Sequence, residues 1–341
     1  MAGCDREKAV TIVTKPGSSF EDTHRILEGL YLHTVFAAEN IRSALSYEPL
    51  EGDVFIVSYP KCGTTWLQHI AINVLLGGSL TSDDVERVRN STYLEFIGAE
   101  GARRLKRPVP IKTHLPFDKQ PHSVNAKYIY VTRNPYDCCV SFYHHCKGLP
   151  WYHFTGGSFD DFVDAFVRGK VTYGDFFDHL LSWYDHRNDP NVLFLTYEDL
   201  KKDPTTSVLR IADFLGAREY GERLRTHPDV LEKVLNGMSL ESMRKLTFTI
   251  EVSNGTSLAG WPGGTEDISP SDKLKNVDSN DCSSKELTAK SLLSGQLVRK
   301  GVVGDWKNQF SSEQLKRMKA WITLKTQDSD VMTLWEHVDL P

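Results

Sequence analysis

The chain has 341 residues, 40% of them hydrophobic, which is enough to bury one large core, and α/β folds reach this size as one domain. Forty basic against 45 acidic residues give a net charge of -5, so no global positive field gathers nucleic acid or acidic lipid, and any anion site has to be local. The opening MAGCDREKAV carries charges where a secretory signal needs an apolar core, and no run approaches the roughly 18 apolar residues of a membrane span. These features point to a soluble, cytoplasmic protein with neither a nucleic-acid nor a membrane partner. Its six cysteines, two of them adjacent at Cys138 and Cys139, then read as reduced thiols.

In chain order, residues 1–34 are a polar lead-in, and a helix is expected over residues 23–39. The first strand is DVFIVSY (53–59), followed by RPVPIKTH (107–114), AKYIYVTRN (126–134) and NVLFLTYEDL (191–200), the last placing Tyr197 in an apolar strand. Segments of helical period lie between them at 65–76, 135–146 and 175–186. Strands alternating with helices specify an α/β fold with a mostly parallel sheet covered on both faces. Residues 249–294 shift to Ser, Gly, Asn, Asp and Thr with little hydrophobic periodicity, and read as an inserted flexible loop or lid. There is no internal repeat.

The stretch VSYPKCGTTWLQHI (57–70) runs from a strand into a helix, the kind of turn whose unpaired backbone N–H groups bind anions. Gly63 lets the backbone approach a ligand, Thr64 and Thr65 add hydroxyls, and Lys61 supplies a charge, so a phosphate is the expected guest. The nucleotide-triphosphatase form GxxxxGK[ST] is absent, because here the lysine precedes the glycine. A second strand-to-helix stretch, YVTRNPYDCCVSFYHH, carries Arg133 and Ser141. A third, VRKGVVGDWKNQF, sets Arg299 and Lys300 beside two glycines. Three separate anion-binding elements imply a ligand with more than one charged end.

Taken together, YPKCGTTW, RNPYDCCVS and RKGVVGDWKNQF resemble, in order, the phosphate-binding motifs of the cytosolic sulfotransferases, over about residues 35–310. Those enzymes transfer a sulfuryl group from 3'-phosphoadenosine 5'-phosphosulfate (PAPS) to a small acceptor and release 3',5'-diphosphoadenosine (PAP). The resemblance implies a single sulfotransferase domain with a P-loop-like turn. Lys61, Cys62, Gly63, Thr64, Thr65 and Trp66 would lie on the 5' side of the cofactor, with Trp66 against the adenine. Arg133, Ser141, Arg299, Lys300 and Gly301 would hold the 3'-phosphate, and Tyr197 would lie near the adenine. KTHLP would bring Lys112 and His114 to the hydroxyl or amine being sulfated, on a phenol, catecholamine, steroid or alcohol.

The chemistry fits those places. An acceptor hydroxyl loses its proton as the new S–O bond forms, and histidine suits that general-base role; Lys61 can stabilise the departing phosphate oxygen. A transferring sulfuryl carries less charge than a phosphoryl, so no metal is expected. DCCVSFYHHC does not change that, since cysteines and histidines seven residues apart on a helix are separated by about 10 Å. Alone, His114 would more often be a structural histidine and ARRLKRPVPIK reads as a solvated helix end, while a core place is the lesser alternative for Tyr197. A nucleotide kinase and a non-catalytic adenosine-phosphate binder are the readings from other classes.

Two positions depart from the family's pattern. Leu240 stands where a phenylalanine commonly covers the adenine. The dimer motif KxxxTVxxxE reads Lys307, Ser311, Ser312 and Lys316, with a polar residue for valine and a reversed charge for glutamate, which leaves a homodimer of that kind poorly supported.

Overall fold

The structure, a computed structural model, describes residues 19–78, 92–245, 247–253, 290–296 and 299–341. Among these, four strands form one parallel sheet in the order β4-β3-β5-β6. They are β3 (Val54–Val57), β4 (Pro110–Thr113), β5 (Lys127–Thr132) and β6 (Val192–Thr196), each inside a strand expected from the sequence. In register, Val57 pairs with both Thr113 and Tyr130, and Thr132 pairs with Thr196, so the four carboxyl ends lie along one edge of the sheet.

The sheet is buried on both faces, and the alternation of side chains along each strand divides the core in two. Val54 and Ile56, with Ile129 and Val131, pack under α2 (Thr64–Leu76). Phe55 and Val57, with Tyr128 and Tyr130, pack into an aromatic core that includes Phe142, Phe176 and Trp183. Phe142 comes from the helix over Pro135–Gly148 and the other two from the helix over Phe176–Tyr184, both of which occupy expected helical segments. No helix among the described residues is long and apolar enough to cross a membrane.

Three expectations are corrected. Residues 24–33 are not helical: β1 (His24–Leu27) and β2 (Leu30–His33) form an antiparallel hairpin, and helix α1 spans Ala38–Leu45. The turn explains it, because Glu28 and Gly29 have φ of 51° and 81°, the two successive left-handed residues that a tight hairpin needs and a helix cannot contain. Tyr197 is not in a strand; β6 stops at Thr196, whose side chain accepts the N–H of Asp199 and caps the helix over Tyr197–Lys202. The ends of the segment expected to be loop are strands, since β7 (Thr247–Ser253) and β8 (Lys290–Gln296) pair antiparallel. TFTIEVS alternates polar and apolar residues, a pattern the boundary at 249 cut through. The middle of that expected lid, 254–289, lies outside the described residues, as does most of the lead-in.

Candidate active site

Every strand of the parallel sheet hands the chain to a site residue at its carboxyl end. β3 leads into the turn carrying Lys61, β4 into His114, β5 into Arg133 and β6 into Tyr197. Ligands bind at this edge in open α/β sheets, because the strand-to-helix turns leave backbone N–H groups unpaired there.

In the β3–α2 turn, Gly63 caps the helix with φ 111°, and a β-carbon there would come within 3.0 Å of the Tyr197 ring. Lys61 has φ 70°, a left-handed conformation that costs a non-glycine residue about 1 kcal/mol or more. Its half-buried ammonium lies 3.4 Å from His145 Nδ1, and burial lowers its pKa to about 8, with Arg133 and Arg299 pushing the same way. Thr64 is buried and bonds through Oγ1 to Ser58 Oγ, while Thr65 and Trp66 are half-buried. Trp66 donates its indole N–H to the Met238 carbonyl at 2.8 Å and meets Tyr197 edge-on with ring centroids 5.3 Å apart. Leu240, two residues past Met238, begins the helix over Leu240–Lys245 and is half-buried. Cys62 lies on the opposite side of the turn, its sulfur 3.6 Å from that of Cys138, and burial pushes its thiol up.

His114 is held from several directions. Its N–H donates to Glu95 Oε1 at 2.7 Å, its carbonyl accepts from His179 Nε2 at 3.0 Å, and its Nδ1 lies 2.7 Å from the Ser58 carbonyl. A carbonyl can only accept, so Nδ1 carries the proton and Nε2 is the basic nitrogen of a neutral ring. Burial, reinforced by Lys112 nearby, holds the imidazole well below its usual pKa. Lys112 places its ammonium 4.3 Å from the Tyr93 ring centre, and the rings of Tyr93 and Tyr173 flank His114 edge-on.

Arg133 is buried beneath the C-terminal loop, donating to the Val302 carbonyl at 2.8 Å with its guanidinium carbon 4.5 Å from the Tyr197 ring centre. Its Nε is buried with no partner, an orphaned donor of the kind an anion satisfies. Ser141 lies two turns further on, half-buried. The loop bearing Arg299, Lys300 and Gly301 turns through Gly301 and Gly304, with φ of 67° and 85°. Both exposed cations are paired to Asp305, Lys300 at 2.6 Å. Burial opposes that carboxylate, but the bonds from Lys300 and Arg299 hold it well below the usual carboxylate range.

The edge of the sheet thus gathers Lys61, the glycine turn, Arg133 and His114 around one concentration of positive and N–H groups. A sequence model of the sulfotransferase domain matches residues 51–258 and 260–330, which span this whole arrangement. The chain belongs to the sulfotransferase family. It is 28% identical over 312 residues to sulfotransferase 1C2 of Homo sapiens, covering 85% of this chain and 88% of that protein. It is 30% identical over 299 residues to sulfotransferase 1B1 of Mus musculus, covering 81% and 85%. Among solved structures, mouse sulfotransferase SULT7A1 complexed with PAP superposes with a TM-score of 0.66 at 28% identity, covering 93% of this chain and 99% of that one. The chain is therefore a PAPS-dependent sulfotransferase, which moves a sulfuryl group from PAPS to an acceptor.

Several residues of this sulfotransferase site were not singled out from sequence. Glu95, fully buried with Oε2 unpartnered, accepts from the Tyr173 hydroxyl at 3.0 Å as well as from His114, and Tyr173 bonds Tyr93 at 2.8 Å. Burial raises the Glu95 carboxyl to about 7, although the His114 N–H works against that rise. Nothing local marks such a residue, because a glutamate in a helix ordinarily faces water. Asp137 and Asp305 stand inside the quoted motifs, but a carboxylate has the same sign of charge as the expected ligand and so does not read as an anion-site residue.

Proposed function

We propose that this sulfotransferase transfers the sulfuryl group of PAPS in line to a hydroxyl or amine of a small acceptor, with His114 as general base. One observation carries the reading: the Ser58 carbonyl fixes Nδ1 of His114 as the protonated nitrogen, leaving Nε2 as the acceptor on a ring that burial keeps neutral. A base that stays unprotonated in the resting enzyme is ready whenever an acceptor arrives, and a positioned base of this kind contributes roughly 10^2 to 10^4 in rate.

The residues present fit PAPS. Lys61, Gly63, Thr64 and Thr65 would take the 5' phosphosulfate, with Trp66, Tyr197 and Leu240 about the adenine; Cys62, facing Cys138, contributes its backbone to the turn. Arg133, through its unpartnered Nε, would meet the 3'-phosphate together with Ser141, Arg299, Lys300 and Gly301. PAPS supplies an activated sulfuryl whose leaving group is a phosphate. Lys61, at the strained start of the turn, offsets the charge that gathers on that phosphate, and Lys112 holds positive charge on the acceptor side.

The deciding experiment is His114→Ala. PAP affinity by isothermal titration stays within about twofold while turnover falls by roughly 10^2 to 10^4, since the base acts on the acceptor. Unchanged turnover removes His114 from the chemistry, and an equal loss of PAP binding makes its role structural.

A further inference from the structure

Asp137 is the third residue of the helix over Pro135–Gly148, the place from which an acidic side chain usually reaches back to the N–H of the capping residue. Here that N–H, on Asn134, already donates to Glu198 Oε1 at 3.0 Å, and Asn134 Oδ1 in turn accepts the N–H of Asp137 at 2.9 Å. The helix start is complete without the Asp137 carboxylate. That carboxylate, with no exposed surface, turns instead to the C-terminal loop: Oδ2 accepts the N–H of Gly304 at 2.8 Å and Oδ1 the N–H of Trp306 at 3.0 Å. Asn134 Nδ2 donates to Oδ2 at 3.0 Å, and Arg133 Nη2 lies 3.5 Å from it.

The two loop amides flank Asp305, the residue that gathers Arg299 and Lys300. One carboxylate therefore fastens the two ends of a turn whose middle residue holds both exposed cations, and it does so one helical turn from Arg133. A buried anion beside an anion site would weaken the ligand by simple repulsion. The placement makes sense if the fixed loop contributes more than the repulsion costs, since bonds from N–H donors to a carboxylate are stronger than those to a neutral acceptor and the helix N-terminus further offsets the charge.

We propose that Asp137 is a positioning residue that makes one 3'-phosphate site out of two segments far apart in the chain. It acts through the loop backbone and does not touch the ligand. The inference rests on the assignment of Arg133 and Arg299 to the 3'-phosphate, and the test separates the two.

PAP and 5'-AMP differ only in the 3'-phosphate, so the full chain is titrated with each, as wild type, Arg133→Ala and Asp137→Asn. Asparagine keeps the size but cannot offer an acceptor to both amides. The expected result is that Asp137→Asn weakens PAP by about 10- to 100-fold, the range for losing a hydrogen bond to a charged group, with 5'-AMP within about twofold. Hydrogen exchange at Gly304 and Trp306 in the free protein rises in the same variant. A general loss of stability would move both nucleotides together, so equal losses overturn the inference, as does unchanged PAP binding. If Arg133→Ala fails to separate the nucleotides, the 3'-phosphate assignment itself falls and takes the inference with it. Should Asp137→Asn not fold, Asp137→Glu, which keeps the charge and displaces both oxygens by a methylene, is judged by the same ratio.

Discussion

The two sides of the anion site are built in opposite ways. On the strand side, His114 and Arg133 follow directly from buried parallel strands and Lys61 and Gly63 lie in the short turn after a third, so their geometry is set by a sheet that is packed on both faces. On the loop side, Arg299 and Lys300 stand exposed on a turn held by ion pairs to Asp305 and by two backbone bonds to Asp137. A group placed by the core cannot adjust without disturbing the core, whereas a loop tied at a few points can shift at little cost. In the proposed assignment, Lys61, Gly63 and His114 of the strand side serve the reacting end of the ligand, where small displacements cost rate, while the loop joins Arg133 at the end that is only held.

A matched pair of glycine substitutions breaks the comparison most sharply. At Gly63, with φ 111°, an alanine β-carbon meets the Tyr197 ring at 3.0 Å, whereas at Gly304, with φ 85°, it meets nothing within 4 Å. Gly63→Ala therefore adds a steric clash to the left-handed strain and should lower PAP affinity by about tenfold or more, with a loss of stability of about 1–3 kcal/mol. Gly304→Ala bears the strain alone, about 1 kcal/mol. Urea unfolding together with PAP titration reads both; equal effects at the two sites would erase the distinction between a core-set and a loop-set side.

The pH dependence of PAP binding is a smaller effect and belongs to the strand side. Lys61 is lowered to about 8 in the free protein, and a bound phosphate raises it again. Because the bound state holds the proton more tightly, affinity is full below pH 8 and falls by up to about tenfold per unit as pH rises through and above 8. Arg133, whose pKa Asp137 raises against the effect of burial, stays charged throughout and adds no slope. Titration between pH 7 and 9.5 checks this, and in Lys61→Met the decline should vanish. A decline that persists there assigns the proton to another group; burial and Lys61 hold His145, the neighbour of the Lys61 ammonium, well below its usual pKa and outside this range.

The smallest effect is at Leu240, which begins its helix two residues past the carbonyl that fixes Trp66. Leu240→Phe should tighten PAP by up to about 1 kcal/mol if that position covers the base, the low end of aromatic stacking. An unchanged affinity assigns the second face of the adenine elsewhere.

How much of this was legible in the sequence follows the same division. The strands β3 to β6 and the turns after β3, β4 and β5 could be read because buried parallel strands are continuous apolar runs and those three turns carry glycine or proline close behind the strand. The hairpin at residues 24–33 was missed because HRILEGLYLH offers apolar residues at helical and at alternating spacing, and only the Glu28-Gly29 turn separates the two readings. Tyr197 was misplaced by one element because an apolar strand ran straight into a helix whose cap is a single threonine. Glu95 and Asp137 carry no local signal at all, since what each does is decided by backbone groups that only the fold brings to them. Ser311 sits in the unusual dimer-motif stretch and has a local reason for its place: it caps the helix over Ser312–Thr326 by a reciprocal pair of bonds with Gln314.

The anchoring of His114 has a consequence for the entropy of the reaction. Its N–H, its carbonyl and one ring nitrogen are each engaged by a different segment of chain, and two tyrosine rings close on its edges. An exposed histidine would have to give up rotational freedom each time it lined up with a hydroxyl. This one surrendered that freedom once, when the protein folded, so in the proposed general-base role the encounter with an acceptor has only the acceptor's own motion left to freeze.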